Sequence, residues 1–186
     1  MRDFEQEIRE VKETKSSKKS FLRETVESIL IAAILAVIIR FFIVEPFYIP
    51  SGSMEPTLQV NDKIVVSKVS YYFEDPERGD VVVFKYPKDT SRNFVKRLIG
   101  KPGETIELKG GNLYINGEFV PEGYLPVDLV YSDYGPVVVP PDNYFMLGDN
   151  RNNSEDSRFW GFMNKDLIIG KAIIIYWPID RIGLIK

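Results

Sequence analysis

The hydrophobic pattern changes character once along the chain. From Ile29 to Ile39 every residue is apolar; Arg40 interrupts, and Phe41, Phe42, Ile43 and Val44 resume. As one helix over 26–44 the run is about 28 Å long, close to the thickness of a bilayer's hydrocarbon. Arg40 lies near one end, where its guanidinium can reach the headgroups. A buried core helix is the alternative for so short a run. Residues 1–25 are charged, with no apolar period to hold them on a core. Lys12, Lys15, Lys18, Lys19 and Arg23 precede the apolar run, with Glu13 the only acid within that span. Positive residues stay on the cytoplasmic side, so the N-terminus is expected there and the C-terminal part outside. Val44-Glu45-Pro46 offers no small-residue cleavage site, which argues against a removable signal peptide.

Past Pro46 the pattern is one of short strands and turns. Lys63–Val66, Val81–Phe84, Asn93–Ile99, Thr105–Leu108, Asn112–Ile115, Glu118–Val120, Tyr144–Leu147 and Ile168–Trp177 read as strands. Asn116-Gly117 predicts a type I′ hairpin turn. Tyr71-Tyr72-Phe73 reads either as core or as a surface dipping into the bilayer interface. Residues 121–141, rich in Pro, Gly and Tyr, form an excursion whose only strand-like piece is Val137–Val139. The predicted class is mainly β: a tail over 1–25, a single transmembrane helix over 26–44, and an all-β domain over 45–186.

Composition narrows the chemistry. The 186 residues carry a net charge of -3, which gives no reason to expect a nucleic-acid partner. There is no cysteine, so disulfides, thiol nucleophiles and cysteine zinc sites are excluded. There is no histidine either. A Ser-His-Asp triad is impossible, and a serine nucleophile must use lysine, a carboxylate or a terminal amine as its base.

Two stretches answer that demand. Phe47 to Leu58 opens extended, because Pro50 holds Ile49 in β or polyproline geometry. Strand alternation puts Phe47, Ile49, Ser51 and Ser53 on one side, with Gly52 allowing a tight turn. An apolar groove thus leads to two hydroxyls, unless the stretch is merely a Ser/Gly turn. In the Asn93–Ile99 strand, Phe94, Lys96 and Leu98 share a face. That places Lys96 among apolar neighbours, as a buried base or as an edge-strand guard. A base must be neutral near pH 7, so its pKa must fall by about 3 from the usual 10.4. Burial supplies such a shift and a carboxylate partner would oppose it. The polar loop Gly148–Gly161 fails as a calcium loop, with Arg151 and Trp160 at ligand positions. It reads better as a hydrogen-bonded frame in which Asp156 and Arg158 pair and a serine such as Ser154 holds a neutral amine.

Together these stretches resemble the type I signal peptidases, the Ser/Lys proteases that remove signal peptides from exported proteins. Pro50-Ser51-Gly52-Ser53-Met54 with Pro56-Thr57-Leu58 matches the nucleophile motif, and Gly79-Asp80-Val81-Val82 a structural β motif. Lys96-Arg97 with Gly100 and Pro102-Gly103 matches the lysine motif. Gly148-Asp149-Asn150-Arg151, Asn153-Ser154, Asp156-Ser157-Arg158 and Trp160-Gly161 match the last one. The resemblance implies a signal-peptidase/LexA-like β domain, with Ser53 as nucleophile and Lys96 as general base. It implies that the Ser53 amide and the Ser51 hydroxyl hold the oxyanion and that Ser154 orients Lys96. Phe47, Ile49, Met54 and Val95 would line the substrate pockets, and Asp149, Asp156 and Arg158 would be structural near the site. The expected partners are secretory preproteins and the lipid bilayer, the expected state is a monomer, and no metal or organic cofactor is required. Two rivals are a LexA-like self-cleaving protease and a membrane-tethered β domain that only binds exported peptides. The anchor, and the lack of a helix-turn-helix pattern, argue against the first.

Overall fold

The computed structural model describes residues 23–186, so the basic cluster at Lys12–Lys19 and most of the predicted tail lie outside the described residues. The chain divides into two compact units at Phe42/Ile43. Helix α1 spans Arg23–Phe42 and is long and apolar enough to cross a membrane. Its side chains are solvent-exposed all round. The helix stops short of the predicted Val44. Pro46 disfavours helical backbone at Glu45, and β-branched Ile43 and Val44 suit a strand.

The second unit begins with β1 (Val44–Tyr48) and β2 (Lys63–Ser67), followed by the one-turn helix α2 (Ser70–Phe73). Next come β3 (Val81–Tyr86), the long β4 (Asp89–Gly100), β5 (Thr105–Lys109), β6 (Asn112–Ile115) and β7 (Glu118–Val120). β8 (Tyr134–Val138), β9 (Asn143–Leu147), helix α3 (Ser157–Trp160), β10 (Met163–Asn164), β11 (Ile168–Trp177) and β12 (Gly183–Leu184) complete it. The larger sheet has the order β1-β2-β11-β3-β4-β9-β10, with β12 on β11; the smaller has the order β7-β6-β5-β8. Among the described residues every strand pairing is antiparallel.

The apolar run in β3 has a simple cause: the large sheet is covered on both faces. Val81 and Val83 enter a core with Ile49, Met54, Leu58, Ile64 and Ile175. Val82, Phe84 and Tyr86 point the other way, into a core with Leu98, Met146 and Trp160. A strand buried on both sides has no polar face to show. The small sheet covers a third core around Ile106, Leu113 and Phe145. Asn116 and Gly117 both have positive φ, 54° and 85°, as the hairpin turn requires.

Two expectations change. The aromatic triplet is not core: Tyr72 and Phe73 are 79% and 85% exposed on α2, and only Tyr71 turns inward, donating to Asp80. Strand β8 starts earlier than predicted, at Tyr134, and Val139 lies past its end in the third core.

Candidate active site

The predicted strand face from Phe47 to Ser53 does not form. Strand β1 ends at Tyr48, Ile49 exchanges backbone hydrogen bonds with Asp62 and Asn61, and the chain then turns. The Glu55 amide donates to the Gly52 carbonyl at 3.2 Å, closing that turn. The turn sends neighbouring side chains in opposite directions. Ser53 faces out into a groove, while Met54 is fully buried in the core beneath. Phe47 packs against that same core. The structure thus moves Met54 and Phe47 off the groove surface, and of the predicted substrate-lining set Ile49 and Val95 reach it.

Strand β4 supplies the opposite wall. Its residues Asp89–Arg97 pair with β3 along one edge. Along the other edge β9 pairs only with Arg97, Leu98 and Gly100. The outer edge at Asn93–Lys96 is therefore open. It borders a groove of about 560 Å³ whose other wall is Ile49, Pro50 and Ser51, with Ser53 and Lys96 between.

Lys96 sits across from Val82 in register and shares its buried face. It is 3% exposed. Its Nζ donates to Ser53 Oγ at 2.7 Å and to the Val95 carbonyl at 3.0 Å. Burial pushes the Lys96 ammonium down to about 8, against the opposing charges of Asp156, Glu155 and Asp149. Among the described residues Lys96 forms no ion pair. The two buried carboxylates nearby are already engaged. Asp149 accepts from Arg97 at 2.9 and 2.7 Å and from Thr57 at 2.6 Å. Asp156 accepts from Arg158 at both oxygens and from the Gly148 amide. The expected Asp156–Arg158 pair is present, at 2.8 Å.

Loop 148–158 grips the nucleophile segment from behind. The Asn150 amide donates to the Ser53 carbonyl at 3.1 Å, and its side-chain amide donates to the Gly52 carbonyl at 3.0 Å. A Cβ on Gly148 would overlap both the Ser53 carbonyl and Ser154 Oγ, so only glycine lets the loop lie this close. Ser154 is buried beside that contact, and among the described residues its Oγ has no hydrogen-bond partner. No bond between Ser154 and Lys96 is formed, so the expected orienting contact is absent from this conformation. Ser51 is exposed on the groove wall.

Sequence reasoning placed Arg97, Thr57, Asn150 and Arg151 within the matched motifs but gave them no role, and it missed Glu122. Arg97 is 1% exposed, bidentate to Asp149, and its guanidinium lies 3.9 Å from the Tyr124 ring centre. Its signal was available: a charge flanked by apolar residues in a strand, like Lys96 one position earlier. Asn150 and Thr57 carried no such signal. Neither did the pair of Arg151 with Glu122, since Glu122 lies in the excursion over 121–141.

A hydroxyl bonded to a buried amine beside an open strand edge is the arrangement that a Ser/Lys nucleophile and base require. The family described as "Signal peptidase, peptidase S26" matches residues 22–177, and this chain belongs to it. The probable signal peptidase I-2 of Synechocystis sp. is 45% identical over 185 residues, covering 94% of this chain and 84% of that protein. Signal peptidase I P of Bacillus subtilis subsp. natto is 42% identical over 175 residues, covering 89% and 94%. A crystal structure of a signal peptidase I from Enterococcus faecalis V583 matches with a TM-score of 0.47 at 34% identity, over 53% of this chain and 97% of that one.

Proposed function

We propose that this chain is a membrane-anchored serine endopeptidase that removes N-terminal signal peptides from exported proteins. One observation carries the reading: the Lys96 amine is buried, free of carboxylates and 2.7 Å from the Ser53 hydroxyl. In this mechanism neutral Lys96 takes the Ser53 proton as Oγ attacks the scissile carbonyl. The oxyanion is held by the Ser53 amide and the Ser51 hydroxyl. Lys96, now charged, gives its proton to the leaving amine, and water then releases the acyl group from Ser53. Ser154 orients the amine once substrate fills the groove and excludes water, since catalytic contacts tighten in the complex.

The substrate adds as a strand to the open edge at Asn93–Lys96. Alternate side chains then meet the wall formed by Ile49 and Val95, which favours the small residues that end signal peptides. Asp149, Asp156 and Arg158 are structural in this scheme. Nucleophile, base and both groove walls come from one chain, which supports action as a monomer. Substituting Ser53→Ala or Lys96→Ala should each abolish cleavage of a preprotein in detergent, with the purified protein still folded. Cleavage persisting in either variant would overturn the assignment of the pair.

The anchor is α1, with the N-terminus cytoplasmic and residues 43–186 outside. The support is the basic cluster ahead of the helix. Protease added to intact cells should digest the part past residue 46 and spare residues 1–25. Protection of the C-terminal part would reverse the topology.

A further inference from the structure

The segment that follows β7 looked chemically silent in the sequence, yet it carries a buried carboxylate aimed at the loop behind Ser53. The Glu122 side chain is 7% exposed. Arg151, 2% exposed, donates to both of its oxygens, one bond being 2.8 Å and the other shorter. The Tyr124 hydroxyl donates to the same carboxylate, and the Tyr131 hydroxyl lies 3.4 Å from it. The Tyr131 ring centre is 5.0 Å from the Arg151 guanidinium. From Arg151 the connections run straight to the site. Its Nε donates to the Gly148 carbonyl at 3.2 Å, and Arg158 donates to its own carbonyl at 2.7 Å. Its neighbour Asn150 is the residue that bonds the carbonyls of Gly52 and Ser53.

We infer that Glu122 is a positioning residue for the reaction: by clamping Arg151 it fixes loop 148–151, and the loop fixes Ser53 against Lys96. The inference rests on the reading of Ser53 and Lys96 as the catalytic pair. Without the carboxylate, Arg151 is a buried cation left with the Gly148 carbonyl, the Tyr124 hydroxyl at 3.5 Å and the Tyr131 ring face. Such a group draws in water or turns toward solvent, and the loop moves with it. A nucleophile displaced by a fraction of an ångström loses rate steeply. The network reaches the groove at Gly52, Ser53 and Asn153 but bonds neither Ile49–Ser51 nor Asn93–Val95, the walls that receive the substrate strand, so most of the substrate affinity should survive.

The test uses the full chain in detergent and a preprotein substrate. Glu122→Gln should lower kcat about tenfold with KM within about twofold. Arg151→Met should do at least as much, and adding Glu122→Gln to it should cost nothing further, because both act through one link. Glu122→Asp, which keeps the charge but shortens the reach, should fall between wild type and Glu122→Gln. Unchanged kcat in a folded Glu122→Gln protein would overturn the inference. So would a KM rise that accounts for the whole loss, or failure of both Glu122 variants to fold, which would make Glu122 a scaffold residue. Ser53→Ala run in parallel separates the two readings. If it is inactive while Glu122→Gln keeps full kcat, this inference alone fails. If it is active, the catalytic pair itself is wrong.

Discussion

At the residue scale the chemistry turns on a lysine that the fold keeps out of water. Its ordinary pKa lies at 10.5, and burial brings it to about 8. Three acidic residues pull the other way, and the site limits their effect by giving Asp149 to Arg97 and Asp156 to Arg158. In the proposed scheme the working form of the base is the neutral amine, so activity belongs to the high-pH side of that titration. Below about pH 8, kcat/KM should fall about tenfold for each pH unit and level off above it. A pH profile on a short peptide reads this limb in the free enzyme. An acid limb centred near 6.5 or below would mean that another group controls the rate, or that the amine is far drier than the structure makes it.

At the element scale the site is a meeting of three pieces: the open edge of β4, the turn after β1, and loop 148–158. Gly148 is where the last two touch. Gly148→Ala would drive a methyl group into the Ser53 carbonyl and Ser154 Oγ, and backbone cannot move aside cheaply. Activity should drop at least a hundredfold while most of the fold persists, since Gly148 is buried behind Ser53 but belongs to none of the three apolar cores. Preprotein cleavage with a thermal melt reads both; near-normal activity would show that loop and nucleophile are not coupled. These pieces differed in how far the sequence exposed them. β3 was legible because a strand covered on both faces shows an unbroken apolar run, here Val81–Phe84. Lys96 was legible because a cation between Phe94 and Leu98 is out of place. The turn at Pro50–Ser53 was not, because its geometry is set by bonds to Asp62 and Asn150, residues distant in sequence. Glu122 was invisible for the same reason: a carboxylate in an irregular segment looks solvated until its partner, Arg151, is placed.

At the scale of the whole molecule, the labour divides between the two units. Among the described residues, the side-chain hydrogen bonds of Ser53 and Lys96 lie within residues 43–186, which contain their own cores, so in the proposed scheme the bond-breaking geometry belongs to that unit. What α1 adds, in the proposed scheme, is proximity. A substrate whose signal peptide already sits in the bilayer meets an enzyme tethered to the same surface at an effective concentration of about millimolar. Removing residues 1–42 should therefore split two activities. Cleavage of a short soluble peptide in detergent should keep a kcat within about threefold of the full chain, because the groove and the pair are intact. Cleavage of a preprotein embedded in vesicles should fall more than tenfold, because the tether is gone. Detergent belongs in the first assay. The truncated unit still exposes Tyr72 and Phe73 on α2, and Trp177, Ile179 and Leu184 near the C-terminus, and such apolar surface promotes association in plain buffer. Equal loss in both assays would mean that α1 is needed for the fold of the site. No loss on vesicles would mean that the second unit finds the membrane without its helix.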